Sequence, residues 1–88
     1  MAAKTYAVIV DSRVQKDIEE FDKDVQRRII RKLRSLGTDP RPDGSTKLAG
    51  EDNLYRVRVG DYRIIYQIRD KELVVLVVRA GHRREVYR

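Results

Sequence analysis

The 88-residue sequence predicts an α+β domain: an N-terminal strand, a two-helix hairpin, then a three-stranded antiparallel meander, with the helices packed on one face of the sheet. Three observations carry this expectation. Apolar residues recur at spacings of three and four between Val14 and Leu36. Two alternating runs of strand-forming residues flank Gly60-Asp61, a pair suited to a tight hairpin turn. No internal repeat, low-complexity segment or linker interrupts the chain, so residues 1–88 read as a single domain.

Taken in order, Thr5 to Val10 (TYAVIV) is a short run of β-branched and aromatic residues that predicts a buried strand. Asp11 and Ser12 supply N-cap oxygens, and Ser12 followed by Gln15 fits the capping-box pattern. The stripe Val14, Ile18, Phe21, Val25, Ile29, Leu33 and Leu36 lies on one helical face. Asp22-Lys23-Asp24 re-caps the chain and divides the stretch into a helical hairpin, and Gly37 ends it. Residues 38–46 carry Pro40, Pro42 and Gly44 and read as loop. Strands are expected over Leu54–Val59, Tyr62–Arg69 and Glu72–Ala80, joined by a type II′ turn at Gly60-Asp61 and a second turn at Asp70-Lys71.

Composition narrows the chemistry. Cysteine is absent and His82 is the one histidine, which excludes disulfides, thiolate zinc sites and multi-histidine metal sites; no cofactor is expected. MAAKTYAVIV is too short for a signal peptide, and no apolar stretch approaches the roughly 20 residues that span a bilayer. A cytoplasmic protein without a membrane partner is expected. The net charge of +6 favours polyanions or acidic protein surfaces.

The arrangement of that charge is more informative than its sum. A two-residue turn at Gly60-Asp61 sets Val59 against Tyr62, Arg58 against Arg63, Val57 against Ile64 and Arg56 against Ile65. Alternation then places Arg56, Arg58 and Arg63 on one face, and Tyr55, Val57, Val59, Tyr62, Ile64 and Tyr66 on the other. Like charges directly opposite each other cost stability, on the order of a few tenths of a kcal/mol. A bland reading has the arginines merely solubilising an exposed face. A phosphate held by several of them would relieve the repulsion through charge-assisted hydrogen bonds. After the last strand come His82, Arg83, Arg84 and Tyr87, expected along the rim of that face. Alone, such a histidine is more often a surface residue, and such a tyrosine a core plug.

The segments KLAGEDNLYRVRVGDYRIIYQI and ELVVLVVRAGHRREVY, spanning Lys47 to Tyr87, resemble the RelE toxins of the RelE/ParE toxin–antitoxin superfamily. The resemblance implies a ribosome-dependent mRNA interferase. Such toxins are metal-independent endoribonucleases that cut mRNA in the A site by 2′-OH attack, leaving a 2′,3′-cyclic phosphate. Carried over by position, Arg63 and Arg83 match the phosphate-contacting arginines and Tyr87 the tyrosine proposed as general base. Arg56 and Arg58 stand where relatives carry basic residues, often lysine, and His82 where relatives carry Lys or His. Lys47 becomes an RNA contact with Leu48 as a core anchor, and Arg84 adds to the RNA-binding rim. Arginine does not deprotonate in proteins, so proton transfer falls to His82 and Tyr87.

The resemblance also implies partners: the 70S ribosome, mRNA, and an antitoxin with an acidic, partly disordered segment. It leaves open a toxin–antitoxin hetero-oligomer that binds operator DNA through the antitoxin. The basic helical flank (Arg27, Arg28, Arg31, Lys32, Arg34) is either an antitoxin contact or an ordinary solvated face. Two alternatives stand beside the nuclease: a ParE-like, non-enzymatic inhibitor of DNA gyrase, and an inactive family member serving as a binding module.

Overall fold

The computed structural model describes residues 4–50 and 52–82. In chain order its elements are β1 (Ala7–Val10), α1 (Ser12–Glu19), α2 (Lys23–Leu36), β2 (Thr46–Lys47), β3 (Leu54–Val59), β4 (Tyr62–Arg69) and β5 (Val74–His82). The strands form one sheet in the order β1-β5-β4-β3-β2. β1 runs parallel to β5, with Ala7 against Val74, and every other pairing is antiparallel. The expected strand, helical pair and meander are all present. The short β2 is an addition, taking Thr46 out of the expected loop.

Of the two expected N-cap residues Asp11 is the one used, its Oδ1 accepting from the Arg13 N–H at 2.9 Å; Ser12, which fitted the capping-box pattern, already lies inside α1. Asp11 is held extended because its own N–H donates to the Val77 carbonyl, so the cap falls where β1 releases the chain. The helices separate at the expected aspartate, with Asp22 as the N-cap of α2. Gln26 secures the corner by donating to the Glu19 carbonyl at 3.0 Å and the Phe21 carbonyl at 2.7 Å. α2 ends at Gly37 as expected, but in a right-handed conformation (φ −66°). Glycine is needed there for space: a Cβ would lie 3.1 Å from the Tyr6 carbonyl oxygen, which belongs to the chain entering β1.

One face of the sheet forms the core with the helical stripe. Val57, Val59, Ile64, Tyr66, Ile68, Val75 and Val77 are buried against Val14, Ile18, Ile29, Leu33 and Leu36. The β3–β4 register matches the expected one residue for residue, and Gly60 takes φ +60° as a type II′ turn requires of its first residue. The second turn differs from expectation. It runs through residues 70–73, with Leu73 at φ +55°, so β5 starts at Val74 and not at Glu72. Leu73 packs on the core and its carbonyl accepts from the Ala7 N–H, which fixes the wider turn.

The proline-rich connection is tied across the end of the sheet. Arg41 places its two Nη atoms on the Asp70 carboxylate at 2.9 and 3.3 Å, and its Nε on the Tyr55 hydroxyl at 3.1 Å. The Tyr6 hydroxyl donates to Asp70 at 2.7 Å, and the Tyr66 hydroxyl to the Pro40 carbonyl at 2.8 Å. Hydrogen bonds from Arg41 and Tyr6 hold the Asp70 carboxyl down at about 2, and burial pushes the Tyr66 phenol up to about 12.

Two outcomes follow. Ile29→Ala, at a fully buried position, lowers stability by about 2–5 kcal/mol, read as a fall in the urea midpoint at constant slope. Asp70 is depressed from about 3.9 in the unfolded chain. Its contribution is therefore present above that value and lost as pH falls toward 2. The urea-midpoint gap between wild type and Asp70→Asn is expected at pH 7, narrowing below pH 4 and closing near pH 2.

Candidate functional site

The face of the sheet turned away from the helices carries the arginines. Arg58 of β3 lies directly opposite Arg63 of β4, and Gly81 of β5 lies opposite Arg63 on its other side. The next row holds Arg56, Ile65 and Arg79. Directly opposed Cα atoms in such a ladder sit about 4.5–5.5 Å apart, so two guanidinium stems are forced side by side. Gly81 contributes no side chain to its row, and it is buried beside Arg63.

The arginines differ in their freedom. Arg63 is only 5% exposed, the one charged side chain among the described residues that is buried, and it does not lack a polar partner. It lies in β4, between β3 and β5. Arg58 is exposed, at a stretch of β3 that β2 does not cover. Arg56 is half-buried, and its Nη2 lies 3.4 Å from the Thr46 hydroxyl directly across the β2–β3 ladder. This row therefore grades from a fixed central cation to a mobile edge cation.

The other sequence candidates divide. Lys47 pairs with Tyr55 and so shares the phase of the helix-facing residues; it does not join Arg56 and Arg58. Leu48, expected as a core anchor, stays half-buried outside the core cluster. His82 lies opposite Tyr62, with the rings edge to face at 5.7 Å, and Tyr62 in turn packs on Phe21 at 4.7 Å. The histidine thus sits on the helix side, not along the arginine rim. Arg83, Arg84 and Tyr87 lie outside the described residues.

The cause is a register shift in β5. Tyr66 pairs with Val77 whereas Ile65 pairs with Arg79, which makes Val78 an extra, bulged residue. Before the bulge odd-numbered residues (Val75, Val77) face the core; after it even-numbered ones (Ala80, His82) do. The bulge therefore turns Arg79 out of the core and His82 away from the arginines. Arg79 is the member of this face that sequence reasoning missed. It also borders a cleft with Asp11 and Asp17 of α1. The signal was available: Val75-x-Val77-x-Arg79 places a charge at an inward phase, which an apolar core does not accommodate unpaired.

An array of guanidinium groups set by strand register, on a sheet face opposite a helical pair, has the charge pattern that suits a polyanion. Residues 8–87 match the family described as the ParE toxin of the type II toxin–antitoxin system parDE. The chain is 30% identical over 86 residues to the mRNA interferase toxin RelE of Escherichia coli K12, covering 93% of this chain and 90% of that protein. Its fold superposes on RelE in the archaeal RelE–RelB complex of Pyrococcus horikoshii with a TM-score of 0.81 at 32% identity, covering 90% and 96% of the two chains. For the intact E. coli RelBE complex the TM-score is 0.78 at 28% identity, covering 88% and 95%. The chain belongs to the RelE/ParE family of type II toxin–antitoxin toxins, and within it to the RelE type.

Deletion of Val78 restores the uninterrupted phase and drives Arg79 toward the core. It is expected to cost about 3 kcal/mol or more, as an uncompensated buried charge does. Far-UV circular dichroism through a urea titration reads the loss.

Proposed function

We propose that this chain is an endoribonuclease that cuts mRNA on the ribosome, with the paired arginines as the phosphate-binding centre. The observation that carries the reading is the Arg58–Arg63 opposition: strand register sets an exposed guanidinium directly beside a buried one, an arrangement suited to a phosphate. The RNA supplies the nucleophile. Its 2′-oxygen forms a bond to the adjacent phosphorus as the bond to the 5′-oxygen breaks, giving a 2′,3′-cyclic phosphate and a 5′-hydroxyl. One proton leaves the 2′-hydroxyl and one reaches the departing 5′-oxygen.

Charge accumulates on the phosphoryl oxygens during that exchange, and preorganised cations are worth most there. Arg63, buried and fixed, suits the role of orienting donor. Arg58 and Arg56, closer to the edge, suit contacts to the same phosphate and its neighbour. None of them moves a proton. The placement of His82 against Tyr62 counts against its acting at the phosphate, which leaves Tyr87 as the base that the family resemblance suggests, with Arg83 and Arg84 as further RNA contacts.

An antitoxin partner accords with the relatives solved as RelE–RelB complexes. Its segment would dock in the apolar trough of about 400 Å³ between β1 and α2, lined by Val8, Val10, Ile30 and Leu33, beside the unpaired outer edge of β1. The family description names ParE, which keeps gyrase inhibition as a second reading.

Induced expression with primer-extension mapping separates these. Wild type is expected to arrest growth and leave cuts within translated codons. Arg63→Ala is expected to lower cleavage about 100–1000-fold, the loss typical of one transition-state donor. Arg58→Lys should retain more activity than Arg63→Lys, because an exposed edge position tolerates a point charge where a buried guanidinium fork is set. Arrest without cuts, together with lost supercoiling by purified gyrase, would reverse the assignment.

A further inference from the structure

A second cationic site lies around the edge of the sheet from the arginine face. Arg28, Arg31, Lys32 and Ser35 recur at the spacing that aligns one face of a helix, and they line a groove of about 450 Å³ together with Arg58, Val59 and Gly60. The groove runs between α2 and the β3–β4 turn, where β2 has ended and the outer edge of β3 carries no strand. Arg28 lies against the turn itself: a Cβ at position 60 would sit 3.0 Å from its Nη2.

These cations are not neutralised. The ion pair between Arg41 and Asp70 is the only one among the described residues, and it lies elsewhere. Arg28, Arg31, Lys32 and Arg58 have no side-chain hydrogen-bonded or ionic partner among the described residues, and Asp61 beside Gly60 makes no bridge to them. From Val25 to Thr38 the sequence has no acidic residue, so Arg31 and Lys32 have no acidic helical neighbour three or four positions away; Arg28 has Asp24 one turn before it, with no ion pair formed between them. Like charges at those spacings destabilise a helix by a few tenths of a kcal/mol per pair, a cost repeated along this stripe.

We propose that this groove is a second RNA-phosphate subsite, in which Arg28, Arg31 and Lys32 hold RNA backbone lying outside the nucleotides bound at Arg58 and Arg63. The inference rests on the ribonuclease reading for its choice of RNA, and three features of the groove favour RNA over an acidic protein segment. Arg58 belongs to both the groove and the arginine face, so a single polyanion path runs from one to the other. Every α2 side chain in the lining is a guanidinium, an ammonium or a hydroxyl: Arg28, Arg31, Lys32 and Ser35. A protein segment needs an interface core depleted of charge, and that is found in the Val8–Ile30 trough instead. The RNA backbone has two sources, the message flanking the cut and the structured RNA of the ribosome.

The test compares full-length wild type with Arg28→Gln/Arg31→Gln/Lys32→Gln. A charge-matched control, Arg13→Gln/Lys16→Gln/Lys71→Gln, removes the same charge from exposed positions elsewhere. Binding is titrated against salt for a single-stranded 2′-O-methyl RNA, which cannot be cut, and for vacant 70S ribosomes. Three lost phosphate contacts reduce the slope of log K against log salt by about 2 on the oligonucleotide, at about 0.7 per contact. A reduction confined to the groove variant supports the proposal; if it occurs on the oligonucleotide the message is the source, and if only on ribosomes, ribosomal RNA is. An unchanged slope in both arms overturns it, as does an equal reduction in the control. So does a variant that loses affinity for poly-L-glutamate while keeping its RNA slopes, which would assign the groove to an acidic protein segment. Slopes are read without cleavage, so a groove-dependent slope in a wild type that makes no cuts would sink the nuclease reading alone. Wild-type cutting with unchanged slopes would sink the groove alone.

Discussion

A sheet covered by helices on one face gives every strand residue one of two environments, and the phase of each strand decides which. In β3 and β4 that phase is set by the two-residue turn at Gly60-Asp61, which locks Arg58 against Arg63 and sends Val57, Val59, Ile64 and Tyr66 into the core. In β5 the phase changes partway along, at Val78. One inserted residue keeps Val75 and Val77 buried while presenting Arg79 and Gly81 to the opposite side. The core and the arginine face are two outcomes of the same alternation, and neither can be shifted without moving the other.

Much of this was legible in the sequence because it depended on local rules. The apolar stripe from Val14 to Leu36 specified the helices, Asp22 marked their separation, and a short turn left the β3–β4 hairpin one register. What escaped depended on tertiary pairing. β2 is two residues long and exists through its ladder with Tyr55 and Arg56, so no periodicity announces it. The wide turn at 70–73 needs Leu73 in a left-handed conformation that its core packing sustains, against the ordinary preference of leucine. His82, expected along the arginine rim because it follows the last strand, stands opposite Tyr62 on the helix side, since the bulge changes the phase of β5.

Charge is distributed along β4 according to use. At its C-terminal end Asp70 gathers Arg41, Tyr6 and, through Arg41, Tyr55 into a closed polar network that ties the loop to the sheet. At its N-terminal end, about 20 Å away at 3.3 Å per residue, stand Arg58 and the groove cations of α2, without ionic partners among the described residues. Pairing has been completed where charge holds the fold together and withheld where charge faces outward. A protein of this size has little stability to spare, so unpaired cations in number are a sign of what it meets.

The parallel pairing of Ala7–Val10 with Val74–Val77 has a consequence for how the molecule comes into being. The first strand to be synthesised has its only sheet partner in the last, and β5 also supplies the centre of the core through Val75 and Val77. Loop-closure entropy must be met across nearly the whole chain before the sheet is complete. Until β5 is in place the polypeptide can form its helices and the β3–β4 hairpin, but neither a finished core nor an assembled arginine face. The topology therefore orders events: the core and the outward arginine face are completed in the same late step, when β5 docks between β1 and β4.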